Sequence, residues 1–299
     1  MKIPMQLALF SISYAGLWGQ DSLDLRQIIR RAKELGFDAL MLAGKRPHLS
    51  PLDADERRVE LLLRELQESG VSCSAVAAYT DFGGTVAAEV PFLEMQIAYV
   101  ESLCRLGNKL GAKLVRVFSA YETAGQNIQT TWRQTVTCLR EVCDRAAAHN
   151  LLVAIQNHHD VGLHTSALLE LLADIDRPNA KLGFDAWSPA LRGEDVYTAA
   201  KTAAPHTVMT TNADYIQLPR FNYRADLVNY VRATPDLVRA VAFGTGFIDY
   251  VSFFRGLRDG GFDGLATYEM CSPIRGGGNL DNLDRFARTY VQWMRDHGM

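Results

Sequence analysis

At 299 residues, with nearly half of them apolar, the chain can bury one large core and fits one α/β barrel, which often runs to ~250 residues or more. A formal net charge of −3 argues against a strongly basic nucleic-acid surface. The five cysteines (Cys73, Cys104, Cys138, Cys143, Cys271) are odd in number and lack a CxxC pair, so they read as reduced thiols of a cytoplasmic protein rather than as a disulfide framework.

The first residues, MKIPMQLALFSISYAGLWG, imitate a signal peptide. Their apolar run is short, Gln6 and Ser11 interrupt it, and no small-residue cleavage site follows, so a first strand over 5–13 is the expected reading. A helix over 23–35 stops at Gly36, a normal C-terminal glycine. A strand over 39–42 leads into the loop GKRPHLSPLD, then a helix over 55–69 stopped by Gly70. The third strand, 73–78, leads into YTDFGG, and the third helix, 91–110, ends at Gly111. Strand four covers 114–118, and helix four covers 127–149 with Val136, Leu139, Val142 and Cys143 inward.

The fifth and sixth strands are short apolar runs, 152–155 and 182–184, each ending abruptly in polar residues. Between them Leu168, Leu169, Leu171, Leu172 and Ile175 lie at helical spacing. A helix over 195–204, a strand over 207–211 ending in NADY, and the glycine turn FGTGFIDY into a helix over 250–259 follow. A last strand, 265–269, and a helix, 280–295, complete eight strand–helix units. That alternation predicts a parallel sheet closed as a single (β/α)8 TIM barrel over 1–299, with no domain boundary. No apolar run is long enough to span a membrane.

Residues just past barrel strands face the site. They include Lys45, Arg46 and His48; Tyr79 and Asp81; Tyr121 and Glu122; Gln156, His158, His159 and Asp160; Asp185 and Trp187; Asn212 and Asp214; and Glu269. Gln156, Asp185 and Glu269 close strands five, six and eight, so closure makes them converge. Carboxylates with an amide oxygen or imidazole suit a divalent ion. Taken alone, Asp185 is more simply a helix N-cap or a solvated loop residue, and so is Glu269; their joint position favours ligands. Alternation along an extended segment puts His158 on the side of Gln156, while His159 packs or caps. Lys45, Arg46 and His48 suit an acidic or phosphate group, against an equally good reading as a solvated loop. Tyr79 and Trp187 can stack on the flat face of a ring-shaped ligand, as can Trp18 and Phe82.

The run AIQNHHD, then GFDAW, TTNADY, FGTGFID and YEM followed by Arg275, resembles the xylose isomerase-like barrels, over essentially the whole chain. That superfamily includes keto-sugar and sugar-phosphate isomerases and epimerases, hydroxypyruvate isomerase, inosose dehydratase and endonuclease IV. The resemblance implies one divalent ion per chain (Mn²⁺, Mg²⁺, Co²⁺ or Zn²⁺) held by Glu, Asp, His and Glu at the ends of strands five to eight. Carried over, these fall on Gln156, Asp185, a position near Thr211, and Glu269. Gln156 replaces the first Glu, and Met209-Thr210-Thr211-Asn212 replaces the His, so binding is expected to be weak, with Asn212 offering its carbonyl oxygen.

Gln156 cannot take a proton at neutral pH, which disfavours a symmetric two-base epimerisation. One base with a nearby acid suffices for isomerisation or elimination. Glu269 is the expected base and His158, titrating near neutrality, its proton partner. Lys45, His48, Tyr79, Trp187 and Arg275 are the expected substrate contacts. The expected activity is a metal-dependent keto-sugar or sugar-phosphate isomerase or epimerase. The alternatives are a keto-sugar lyase or dehydratase, and a metal-free barrel acting as a binding subunit. A trinuclear nuclease of the endonuclease IV kind needs more strand-end histidines than this chain offers. A small sugar or polyol is the expected partner, with no nucleic acid and no membrane; self-association stays open.

Overall fold

The computed structural model describes residues 5–84 and 89–299. Residues 1–4, part of the segment weighed above as a leader, lie outside that range. Seven strands come first: β1 (Gln6–Phe10), β2 (Ala39–Ala43), β3 (Ser72–Ala77), β4 (Leu114–Val117), β5 (Leu152–Gln156), β6 (Ala180–Gly183) and β7 (Thr207–Asn212). An antiparallel pair, β8 (Asp214–Arg224) and β9 (Asn229–Val241), is followed by β10 (Leu265–Tyr268). The barrel closes in the order β1-β10-β7-β6-β5-β4-β3-β2, every pairing parallel.

The period-2 alternation of each strand sorts its residues between two cores. Outward-facing Leu7, Leu9, Leu40, Leu42, Val76, Val115, Val117, Val153, Ile155 and Leu182 pack under the helices. Inward-facing Ala8, Phe10, Ala39, Met41, Ala43, Ala75, Ala77, Leu114, Ala154, Met209 and Leu265 fill the barrel. Six alanines in that inner set leave room that one long side chain, Arg116, occupies.

The main crossover helices are α1 (Leu25–Leu35), α2 (Glu56–Ser69), α3 (Phe92–Leu110), α4 (Ile128–Ala147) and α5 (Thr165–Ile175). They are followed by the short α6 (Trp187–Arg192), then α7 (Val196–Ala203), α8 (Tyr250–Asp259) and α9 (Leu280–Asp296). Asp24, Asp55, Asn127, Asp195, Asp249 and Asn279 cap helix N-termini by accepting backbone N–H bonds. Gly36, Gly70 and Gly111 end α1, α2 and α3 in the left-handed region. Among the described residues no helix is long and apolar enough to cross a membrane.

Three features depart from the sequence reading. The first strand stops at Phe10, because Ser11–Tyr14 coils into a 3-10 turn. Helix α6 intervenes after Asp185, starting at Trp187. The largest departure is the β8–β9 hairpin, which the sequence reading left unassigned. It continues almost directly from β7, and most of its residues from Gln217 to Arg239 are exposed. Pro219 cannot donate to the ladder and coincides with the register shift between Leu218 and Arg220. At its base the Asp214 carboxylate accepts from the backbone N–H groups of Tyr215 (2.9 Å) and Gly246 (2.7 Å). A Cβ on Gly246 would overlap that carboxylate. FGTGF is therefore a clasp on the hairpin's root.

Candidate active site

A cavity of about 570 Å³ opens at the carboxyl ends of the barrel strands. Its wall carries Phe10 from β1, Lys45 after β2, Tyr79 after β3, Arg116 and Phe118 from and after β4, Gln156, His158 and His159 from and after β5, and Glu269 and Cys271 after β10.

Gln156, Asp185 and Glu269 do converge, but not as three ligands of a common centre. Gln156 Nε2 donates to Asp185 Oδ2 (2.6 Å) and to Thr211 Oγ1 (2.9 Å). The Thr211 hydroxyl and backbone N–H both donate to Asp185 Oδ1, at 2.6 and 3.2 Å. Asp185 is thus hydrogen-bonded on both oxygens, 3% exposed, and absent from the cavity wall, with Gln156 lying over it. Asn157 secures the turn from behind: its amide donates to the Asp185 carbonyl (3.0 Å), and its Oδ1 accepts from the Asp185 N–H (2.7 Å). Burial raises the Asp185 pKa, against the lowering effect of the Thr211 and Gln156 hydrogen bonds.

Glu269 is half-buried and faces the cavity. Burial raises its pKa most and the Asp185 charge raises it further, while Arg116 and a hydrogen bond from the Cys271 thiol oppose. Of the two carboxylates it is the one a substrate can reach.

Several expected residues are placed elsewhere. Asn212 has strand parity opposite to Thr211, so its amide points outward, donating to the Thr267 carbonyl (3.1 Å) and Tyr290 Oη (3.2 Å). It cannot ligate an ion in the barrel; Thr211 holds the inward place. His48 is fully buried, its Nε2 3.3 Å from the Leu23 carbonyl, and burial pushes its pKa down to about 4. It supports the β2 loop rather than the cavity. Trp187 packs on Tyr215 and Phe247, with ring centroids 4.3 and 6.1 Å away. Arg275 is exposed on the rim. None of these four lines the cavity.

Lys45 and Tyr79 do, and they touch: Lys45 Nζ lies 3.8 Å from the Tyr79 ring centroid. His158 stands at the mouth with its outer edge open to solvent. Desolvation by the walls around it, then the Arg116 charge, lower its pKa to about 4, so it is neutral at pH 7 and does not titrate near neutrality as expected. His159, 4% exposed, stacks on Tyr121 (centroids 3.8 Å) and lies 4.3 Å from the Phe118 ring; burial lowers its pKa to about 3.

The donor set does not fit the divalent ion that the resemblance implies. A site of that kind needs several free anionic or imidazole donors aimed at one point. Here one carboxylate is consumed by internal hydrogen bonds, the strand-five place is a neutral amide that donates toward it, and the strand-seven place is a threonine. Among the described residues no group of three His, Cys, Asp or Glu side chains is disposed to hold a metal.

The sequence reading missed Arg116. Its signal was a charged residue inside LVRVF, where alternation puts it on the inner face with Leu114 and Phe118.

Compared with known proteins, residues 29–297 match the family model described as xylose isomerase-like TIM barrel. The chain belongs to that family. Within the xylose isomerase-like barrels, a 3-dehydroshikimate dehydratase from Bacillus anthracis is 24% identical over 262 residues, covering 85% of this chain and 88% of that protein. The crystal structure of a probable 3-DHS dehydratase from the same organism is similar with a TM-score of 0.72 at 19% identity, over 97% of this chain and 99% of that one. D-psicose 3-epimerase from Clostridium cellulolyticum H10, solved with D-tagatose, is similar with a TM-score of 0.76 at 17% identity, over 98% and 99%. At such identities the two structures show a shared barrel.

Proposed function

We propose that this barrel is an enzyme that removes a proton from carbon next to a carbonyl of a small, oxygen-rich substrate, with Glu269 as the base. One observation carries the reading: Glu269 faces the cavity that also holds the buried Arg116 cation, and the Asp185–Gln156–Thr211 network leaves it free, whereas Asp81, the other carboxylate lining that cavity, accepts from the backbone N–H groups of Gly83 and Tyr121 (3.0 Å each). A base must reach the proton and be deprotonated near working pH. The opening supplies the first condition, and the raised pKa of Glu269 places its titration closer to neutrality than that of an ordinary carboxylate. Arg116 and Lys45 line the same cavity and give it a positive field that favours an anionic substrate.

The barrel has one base, and Gln156 stands where a second would act. The symmetric two-base epimerisation is therefore disfavoured. Isomerisation and elimination both remain compatible with one base, the returned proton or departing oxygen being served by His158 on the same cavity. Elimination from a cyclic keto compound is the second reading, favoured by the dehydratase relative that spans most of both chains. The test is solvent-deuterium incorporation in D₂O, with 3-dehydroshikimate and a set of keto-hexoses. Uptake of deuterium at carbon next to the carbonyl, lost in Glu269→Gln, supports the proposal. Turnover of a keto-hexose without exchange, or exchange and elimination undiminished in the variant, overturns it; loss of water from 3-dehydroshikimate without label uptake, abolished in Glu269→Gln, supports the second reading, because elimination returns no proton to the carbon.

A further inference from the structure

We propose that Arg116 and Lys45 form the seat of a carboxylate carried by the substrate. Arg116 is 1% exposed and heads the fully buried side chains in volume. A buried guanidinium is costly unless an anion pairs with it. Its Nη1 donates to the Ala78 carbonyl (2.9 Å), and its Nε has no partner. The rest of its surroundings are ring faces: Phe118 at 4.0 Å, Tyr79 at 4.9 Å and Phe10 at 5.6 Å from its central carbon. No carboxylate stands at ion-pair distance from it among the described residues. The same holds for Lys45, which shares the Tyr79 ring and whose pKa is lowered by burial and then by Arg116. The Tyr79 hydroxyl, buried beside them, has no partner either. Two cations with no carboxylate at ion-pair distance and an unsatisfied hydroxyl, all lining one cavity, suit an anion with hydrogen-bond acceptors.

A carboxylate fits better than a phosphate. Barrel phosphate sites are commonly built from the loops after strands seven and eight and a helix N-terminus. Here the cations come from β4 and the end of β2, and a planar guanidinium edge matches a carboxylate. The closed order sets β4 opposite β10, four strands away in either direction. Arg116 and Glu269 therefore hold opposite ends of the substrate, with the reacting carbon separated from the carboxylate by the body of a ring or short chain. This assignment rests on the proton-abstraction reading for the Glu269 end alone.

The experiment measures binding without turnover. Sodium benzoate, benzamide and inorganic phosphate are titrated into the native chain by calorimetry at fixed ionic strength, alongside 3-dehydroshikimate and its methyl ester. Benzoate is expected to bind at least 10-fold more tightly than benzamide, and the acid 10-fold more tightly than its ester. Lys45→Met, at the more open end of the pair, should cut this preference several-fold while leaving the melting curve cooperative; Arg116→Met should abolish it. Equal affinity for each charged and neutral partner, tighter binding of phosphate than of benzoate, or an unchanged preference in Lys45→Met would overturn the seat. A charge preference without deuterium exchange or elimination leaves the seat standing and defeats the Glu269 reading; exchange or elimination without a charge preference does the reverse.

Discussion

Replacing Glu269 by Gln should move stability and activity in opposite directions, and the size of the stability gain depends on pH. The pKa of the Glu269 carboxyl is raised in the folded chain by burial and by the Asp185 charge. In the unfolded chain it titrates near ~4.3. Between those two values the folded state binds the extra proton, so native stability falls as pH rises through the interval; the full penalty is present above the raised native value. A tenfold change in proton affinity corresponds to ~1.4 kcal/mol, and partial access to the cavity tempers it, so the penalty at pH 8 is on the order of 1–3 kcal/mol. Gln keeps an oxygen that accepts from the Cys271 thiol and carries no charge to desolvate. The variant should therefore be more stable than the parent at pH 8 by about that amount, and the difference should vanish toward pH 4. Urea unfolding followed by circular dichroism at pH 4, 6 and 8 reads it directly. Over the same range solvent-deuterium exchange should fall ~10²–10⁴-fold, the usual loss on removing a catalytic base. A Glu269→Gln chain that is destabilised equally at all three pH values would show that Glu269 serves packing and that its ionisation carries no penalty in the folded state.

Thr211→Val removes the hydroxyl that bonds Asp185 and Gln156, and should cost ~1.5–3 kcal/mol at pH 8, less at pH 4 where Asp185 is protonated; denaturant midpoints at the two values check it. The double variant Gln156→Glu with Thr211→His restores the donor types that the family resemblance implies, and should bind Mn²⁺ near one per chain by elemental analysis after dialysis, well above the parent; parity with the parent would mean that the incomplete donor set is not what limits binding. Excising 218–237 and joining Gln217 to Val238, which face each other in the ladder, through an Asn-Gly turn should shift the melting temperature by no more than about 2–4 °C, because the removed residues are mostly exposed. A larger loss would show that the hairpin is covered in solution.

The barrel was legible in the sequence because each of its signals is local. Apolar runs of strand length, helical spacing in Leu168–Leu171–Ile175, and glycines at 36, 70 and 111 depend on nearest neighbours along the chain, and the structure reproduces them within a few residues. The convergence of Gln156, Asp185 and Glu269 followed as well, since closure of a parallel sheet brings strand ends to one rim. The hairpin escaped notice because a two-stranded ribbon exposed on both faces has no buried side to impose alternation on its sequence. Which way a strand-end side chain points was also beyond reach: Asn212 and Thr211 are adjacent, and a one-residue difference in parity decides that one meets Tyr290 and the other meets Asp185. Tertiary structure alone decided that Gln156 covers Asp185, that His158 is held neutral by its walls and by Arg116, and that Arg116 lies in the barrel with no carboxylate at ion-pair distance among the described residues. Each of these rests on contacts between strands far apart in sequence, whose energies depend on burial and charge that no single stretch of the chain contains.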